Sequence, residues 1–118
     1  MAAFMLLLHD NPSAFSGRSQ DDMMNIIKEY SGWSAKLRAE GKILSGEKLT
    51  DEGGKIIKKE GTRLVVTDGP YAEAREVIGG FFTIQARDYA EAVKIAETCP
   101  HAKYGAKIEV RQVHEFNR

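Results

Sequence analysis

The sequence predicts an α+β domain whose antiparallel sheet is covered by helices on one face only. Three observations lead there. The first strand candidate is apolar on both parities, two later stretches carry apolar residues at helical spacing, and the segments between and after them alternate like strands. A length of 118 residues suits one domain, spanning 1–118, with enough core to fold without a disulfide or a metal. The hydrophobic fraction of 42% and charged fraction of 29% exclude a disordered chain, a collagen or a disulfide scaffold.

Ala3 to Leu8 reads AFMLLL, a run buried on both faces, which places it in the middle of the sheet. Asn11 to Arg18 is a loop rich in Asn, Pro, Ser and Gly. Ser19 then caps a helix, with Asp22 three residues on. Met23, Ile26, Ile27, Tyr30, Trp33 and Leu37 form its apolar stripe, and Gly41 stops it. Gly32 inside this helix is expected to mark a close approach to the sheet. Lys42 to Leu49 is a strand weakened by Gly46, and Asp51 to Gly54 is a turn. Lys55 to Lys59 and Thr62 to Thr67 form a hairpin across Glu60-Gly61.

In the strand Val77 to Ala86, Phe82, Ile84 and Ala86 share one face while Phe81, Thr83 and Gln85 share the other. Gly79-Gly80 reads as a bulge or a close backbone contact. Asp88 opens a second helix with Tyr89, Ala92, Val93 and Ala96 as its buried stripe, and Pro100 ends it. In the last strand, Lys107 to Val113, Ile108 and Val110 face one way, and Lys107, Glu109 and Arg111 the other. The order β-α-β-(hairpin)-β-α-β is that of a ferredoxin-like sandwich. Two helices leave one sheet face uncovered, yet Phe81 and half of the first strand put apolar area there. The expectation is a homodimer packed sheet to sheet about a two-fold axis, a dimeric α/β barrel-like assembly.

Lys+Arg and Asp+Glu are 17 each, so there is no basic excess to neutralise phosphates, and no nucleic-acid partner is expected. Lys55, Lys58 and Lys59 sit among Asp51, Glu52 and Glu60 and read as a solvated hairpin. One cysteine, Cys99, cannot form an internal disulfide. The apolar start lacks a basic leader and is too short for a signal peptide. The expectation is a cytoplasmic, unprocessed chain with no membrane span.

Candidate chemistry gathers at Asp68-Gly69-Pro70-Tyr71 and its continuation to Phe82. Asp68 is either a turn-former or a carboxylate held at a strand end as a base. His9 ends the first strand; it is either a plain loop residue or, with Asp68 beside it, a general base near neutral pH. Arg111 is either half of a Glu109–Arg111 salt bridge or the fork that receives a substrate carboxylate or phenolate. His101 follows Pro100 and is either a helix-terminus residue or a substrate contact. His114 is expected in solvent, and His9, His101 and His114 lack metal-ligand spacing. Cys99 reads as buried packing. No nucleotide fingerprint is present, so no cofactor is expected.

The run from Asp68 to Phe82, together with Cys99-Pro100-His101-Ala102, the ending Ile108 to Val113 and the opening Phe4 to Leu7, resembles the YCII-related domain family in its DGPF-type branch. Tyr71 stands where that motif has Phe, and Gln112 where Pro is common. The resemblance covers essentially the whole chain. It implies a ferredoxin-like domain that dimerises into a barrel-like assembly with a polar-lined cleft. It also implies activity related to elimination on small chlorinated aromatics or to lactone isomerisation. The His–Asp pair proposed for the broader family has its His in the first helix. Gln20 to Glu40 contains none, whereas Asp68 matches the motif.

Two functions follow. One is a dimeric enzyme transferring a proton on a small anionic or aromatic molecule, with Asp68 and His9 catalytic and Arg111, Tyr71 and His101 contacting substrate. The other is a non-catalytic binding or regulatory module, for which the resemblance implies an association with sigma-factor signalling.

Overall fold

The computed structural model describes residues 1–10, 17–50, 53–69 and 77–115. The elements are β1 (Ala2–Asp10), α1 (Gln20–Ala39), β2 (Ile43–Lys48), β3 (Lys55–Glu60), β4 (Arg63–Asp68), β5 (Val77–Ala86), α2 (Tyr89–Glu97), α3 (Pro100–Lys103) and β6 (Lys107–Gln112). Four strands form an antiparallel sheet in the order β2-β5-β1-β6, the ferredoxin-like arrangement, with β1 inside as its double-sided apolar pattern requires. The hairpin β3–β4 is a separate two-stranded sheet.

Parity assigns the faces. Phe4, Leu6, Ile84 and Ala86 are sealed under Leu37 of α1 and Ala92, Ile95 and Ala96 of α2, with Phe82, Ile108 and Val110 packed beside them. The opposite face carries Met5, Leu7, Phe81 and Thr83, all half-buried, and the core-covering residues of α1 and α2 lie on the other side.

Both long helices start as their sequences demand. Ser19 Oγ accepts from Asp22 N at 3.1 Å, and Asp88 Oδ1 accepts from Glu91 N at 2.9 Å. Glu91 reaches back to the N–H of Arg87, one residue before the cap. Gly41, at φ 75°, closes α1 through Gly41 N to Arg38 O and Lys42 N to Leu37 O, the two-bond Schellman end.

Several expectations are corrected. Gly32 lies on the exposed face of α1, and a Cβ placed on it would meet nothing within 4 Å, so it marks no approach to the sheet. Ile27 is exposed and only Ile26 and Leu37 of α1 are buried, because the helix touches the sheet along a narrow stripe. Tyr89 and Val93 are also exposed, and Ile95 takes the buried place on α2. Pro100 ends α2 but also opens α3 at its first turn, and Gly105 at φ 82° closes it. Proline at the start and glycine just past the end was the readable signal for this short helix.

Gly79-Gly80 is both a bulge and a close contact. The β1–β5 register slips between Leu8 and His9, so Ile78 pairs with His9 and Leu8 with Gly80, leaving Gly79 extra. A Cβ on Gly79 would collide with the Asp10 carboxylate, and one on Gly80 would fall 2.9 Å from the Glu47 carbonyl.

Candidate functional site

The C-terminal end of β1 is where polar groups converge. His9 and Glu109 are neighbours because β1 and β6 pair with Leu7 opposite Glu109 and His9 opposite Lys107, which puts both side chains on the open face. His9 Nε2 lies 3.0 Å from Glu109 Oε1. Arg111 Nη1 donates to the other carboxylate oxygen, Oε2, at 3.2 Å. The hydrogen bond from His9, then that from Arg111, hold the Glu109 carboxyl below the usual carboxylate range. Ionised Glu109 accepts only, so His9 Nε2 must carry a proton, and in the neutral ring the basic lone pair is on Nδ1. The apolar side chains of Met5, Leu7, Ile78 and Phe81 share this face beside the polar trio.

A second, buried histidine supports the same strand end from the helix side. His101 is 2% exposed. Its Nε2 is 2.8 Å from the backbone carbonyl of His9, and its Nδ1 is 2.7 Å from the Tyr30 hydroxyl. A carbonyl only accepts, so Nε2 is protonated; in the neutral ring Nδ1 then accepts from Tyr30. Burial raises the Tyr30 phenol far above its ordinary value and keeps it a donor. Asp10 Oδ1 stands 4.0 Å from His101 Nε2. Trp33 makes a parallel tie, donating from Nε1 to Thr98 Oγ1 at 2.8 Å while its ring packs edge-on against Phe82.

The family model of the YCII-related domain matches residues 2–117. The chain belongs to the YCII-related family. No curated protein sequence matches it. Among solved structures this YCII-related domain is similar to the 5-chloro-2-hydroxyhydroquinone dehydrochlorinase TftG from Burkholderia phenoliruptrix, in complex with 2,5-dihydroxybenzoquinone. The TM-score is 0.54 at 16% identity, covering 97% of this chain and 95% of that one. That likeness concerns the fold.

The residues expected to form the site are only partly brought together. His9 and Arg111 share the open face, joined through Glu109. Asp68 is elsewhere: it ends β4 on the separate hairpin, its side chain is 83% exposed, and it pairs with Lys55. The expected His9–Asp68 pair therefore gives way to His9–Glu109, since β5 and β6, not β4, flank β1. His101 is corrected from substrate contact to internal strut, because both ring nitrogens are engaged by the protein. Tyr71 lies outside the described residues, as does most of the motif that follows Gly69. His114 is exposed as expected. Cys99 is buried, and that burial pushes its thiol up to about 11, as a packing residue requires.

Glu109 was placed on the open face by strand parity, but parity alone cannot say which residue of β1 it meets. No group of three or more metal-ligating side chains occurs among the described residues. No described helix is long and apolar enough to cross a membrane. Two surface grooves, one of about 500 Å³ along Met1, Gln112 and His114 and one of about 260 Å³ between α2 and β6, hold none of His9, Glu109 or Arg111.

Proposed function

We propose that this YCII-related protein is a small homodimeric enzyme that moves a proton on a small anionic or aromatic molecule, in an isomerisation or an elimination. The observation that carries the reading is the His9–Glu109–Arg111 chain on an apolar open face, with His9 Nε2 to Glu109 Oε1 at 3.0 Å. Glu109 orients the imidazole and stabilises the imidazolium that forms when the ring takes a proton. The electron pair left on the substrate either expels a leaving group from the adjacent carbon or is reprotonated at another position. Arg111, with 68% of its side chain exposed, presents the rest of its guanidinium to the developing oxyanion. Met5, Leu7, Ile78 and Phe81 offer a platform for a planar ring.

Family membership and the fold shared with a dehydrochlorinase support an enzyme-like role on aromatic compounds. The uncovered face supports a second copy packed against it, which would turn an open surface into an enclosed site. The test is a screen of halogenated hydroquinones and unsaturated lactones, following halide release and absorbance. Turnover should fall roughly a hundred-fold or more in His9→Ala and substantially in Glu109→Gln, in the range general-base loss produces. Turnover that ignores both substitutions, or no turnover with any compound that binds, overturns the reading.

A further inference from the structure

The sheet holds His9 less tightly than the rest of β1. On the β6 side the pairing runs from Phe4 opposite Gln112 to His9 opposite Lys107 and ends there. On the β5 side the register slips between Leu8 and His9, so the ladder is interrupted at this residue. A different contact takes over the backbone. His101, from the helix side, sets Nε2 2.8 Å from the His9 carbonyl. His101 is itself fixed. It is 2% exposed, its Nδ1 is 2.7 Å from the Tyr30 hydroxyl, and its own carbonyl accepts from Ala106 N at 3.2 Å. Asp10, the next residue along β1, sets Oδ1 4.0 Å from the same Nε2, and its carboxylate fills space that a Cβ on Gly79 would occupy.

We propose that His101, locked by Tyr30, is a positioning residue for His9: its hydrogen bond to the His9 carbonyl fixes the strand end from which the imidazole reaches Glu109. The proposal rests on the reading of His9 as the base and names what holds that base in place. Two hydrogen bonds run the same way. The Tyr30 O–H donates to His101 Nδ1, and His101 Nε2–H donates to the His9 carbonyl. Donors in series polarise one another, so each strengthens the next. On the open face the line continues from His9 Nε2 to Glu109 Oε1 at 3.0 Å, and from Glu109 to Arg111. Residues of α1 and α3 are thereby tied to one backbone unit of β1. The leverage is large, because a general base must stay within hydrogen-bond reach and a drift of ~1 Å can cost about a hundred-fold in rate. Without the His101 donor, the part-buried His9 carbonyl must turn toward water or another donor, and it carries the ring with it.

The experiment follows the His9 Nε2 proton by NMR on the full chain and measures how fast it exchanges with water. His101→Leu removes the donor and keeps the site apolar, and exchange should quicken roughly ten-fold or more, as the loss of a bond to a carboxylate produces. His101→Gln, whose side-chain amide can still donate to the carbonyl, should restore slow exchange. Leu6→Ala loosens the core without touching this line and should leave the His9 proton alone. With any substrate the screen yields, His101→Leu should lower kcat roughly ten- to a hundred-fold and leave KM in place. A folded His101→Leu with unchanged exchange overturns the proposal. Leu6→Ala that quickens exchange as much also overturns it, because the effect is then general loosening. Should His101→Leu fail to fold, Tyr30→Phe frees the His101 ring at its other nitrogen and should quicken exchange in the same direction; unchanged exchange there overturns the proposal. A screen without turnover overturns the proposed reaction, while the exchange rates still decide whether His101 positions His9.

Discussion

Leu6 and Leu7 are adjacent in sequence, chemically identical and on opposite faces of the sheet, so truncating each to alanine measures what the two faces are worth. Leu6 is fully buried between the sheet and the helices, in the central cluster with Phe4, Ile84 and Ala92. Leu6→Ala should cost ~3.5 kcal/mol, within the range for a sealed leucine that leaves a cavity. The melting entropy of a domain of 118 residues is about 0.25 kcal/mol per kelvin, so the midpoint should fall by ~14 K. Leu7 is half-buried, opposite Phe81 and Glu109, and part of its surface is in water already. Leu7→Ala should cost ~1 kcal/mol in the isolated chain, which is ~4 K. Urea unfolding and calorimetry across a dilution series give both values. The Leu6 cost should be the same at every concentration, whereas the Leu7 cost should grow as copies associate. Equal costs for the two at high dilution would refute the assignment of an uncovered face.

Three further outcomes follow from the geometry. Tyr30→Phe removes the donor to His101 Nδ1 and leaves a buried acceptor unpaired, so unfolding free energy should drop by ~1–3 kcal/mol in urea titration. Cys99, buried and with its thiol pushed up to about 11, should react with a thiol reagent at pH 8 only as fast as the chain opens, and labelling as prompt as in the unfolded chain would contradict the packing. Glu109 has its carboxyl lowered by His9 and Arg111, so the native state binds this proton less readily than the unfolded state. Its stabilising effect is therefore present above the ordinary value near ~4.3 and fades as pH falls through the lowered one. The stability gap between wild type and Glu109→Gln should accordingly be visible near neutral pH and close on acidification, as measured by urea midpoints against pH.

Much of the architecture was legible because it depends on local chemistry. The double-sided run at Phe4 to Leu8 could only be an inner strand. Ser19 and Asp88 each present the oxygen that a helix start needs, and Gly41 supplies the positive φ that ends one. Period-two alternation in β5 and β6 placed Ile84, Ala86, Ile108 and Val110 toward the helices. The site was harder to read. Asp68 looked like a partner for His9 because both end strands, yet it sits on a hairpin that never joins the main sheet. His101 looked like a helix-terminus residue or a substrate contact, but α3 turns it inward to Tyr30 and the His9 carbonyl.

By itself, then, the order of residues determined which segments are strands or helices and which side chains point the same way. Those properties come from backbone sterics, capping bonds and short-range periodicity, which neighbours in sequence settle among themselves. Only the tertiary structure decided that His9 meets Glu109, that Tyr30 meets His101, and that the hairpin stands apart. A sequence separation of 100 between His9 and Glu109 is bridged by a strand register, and a register is selected by burial over the whole sheet and not by any local preference.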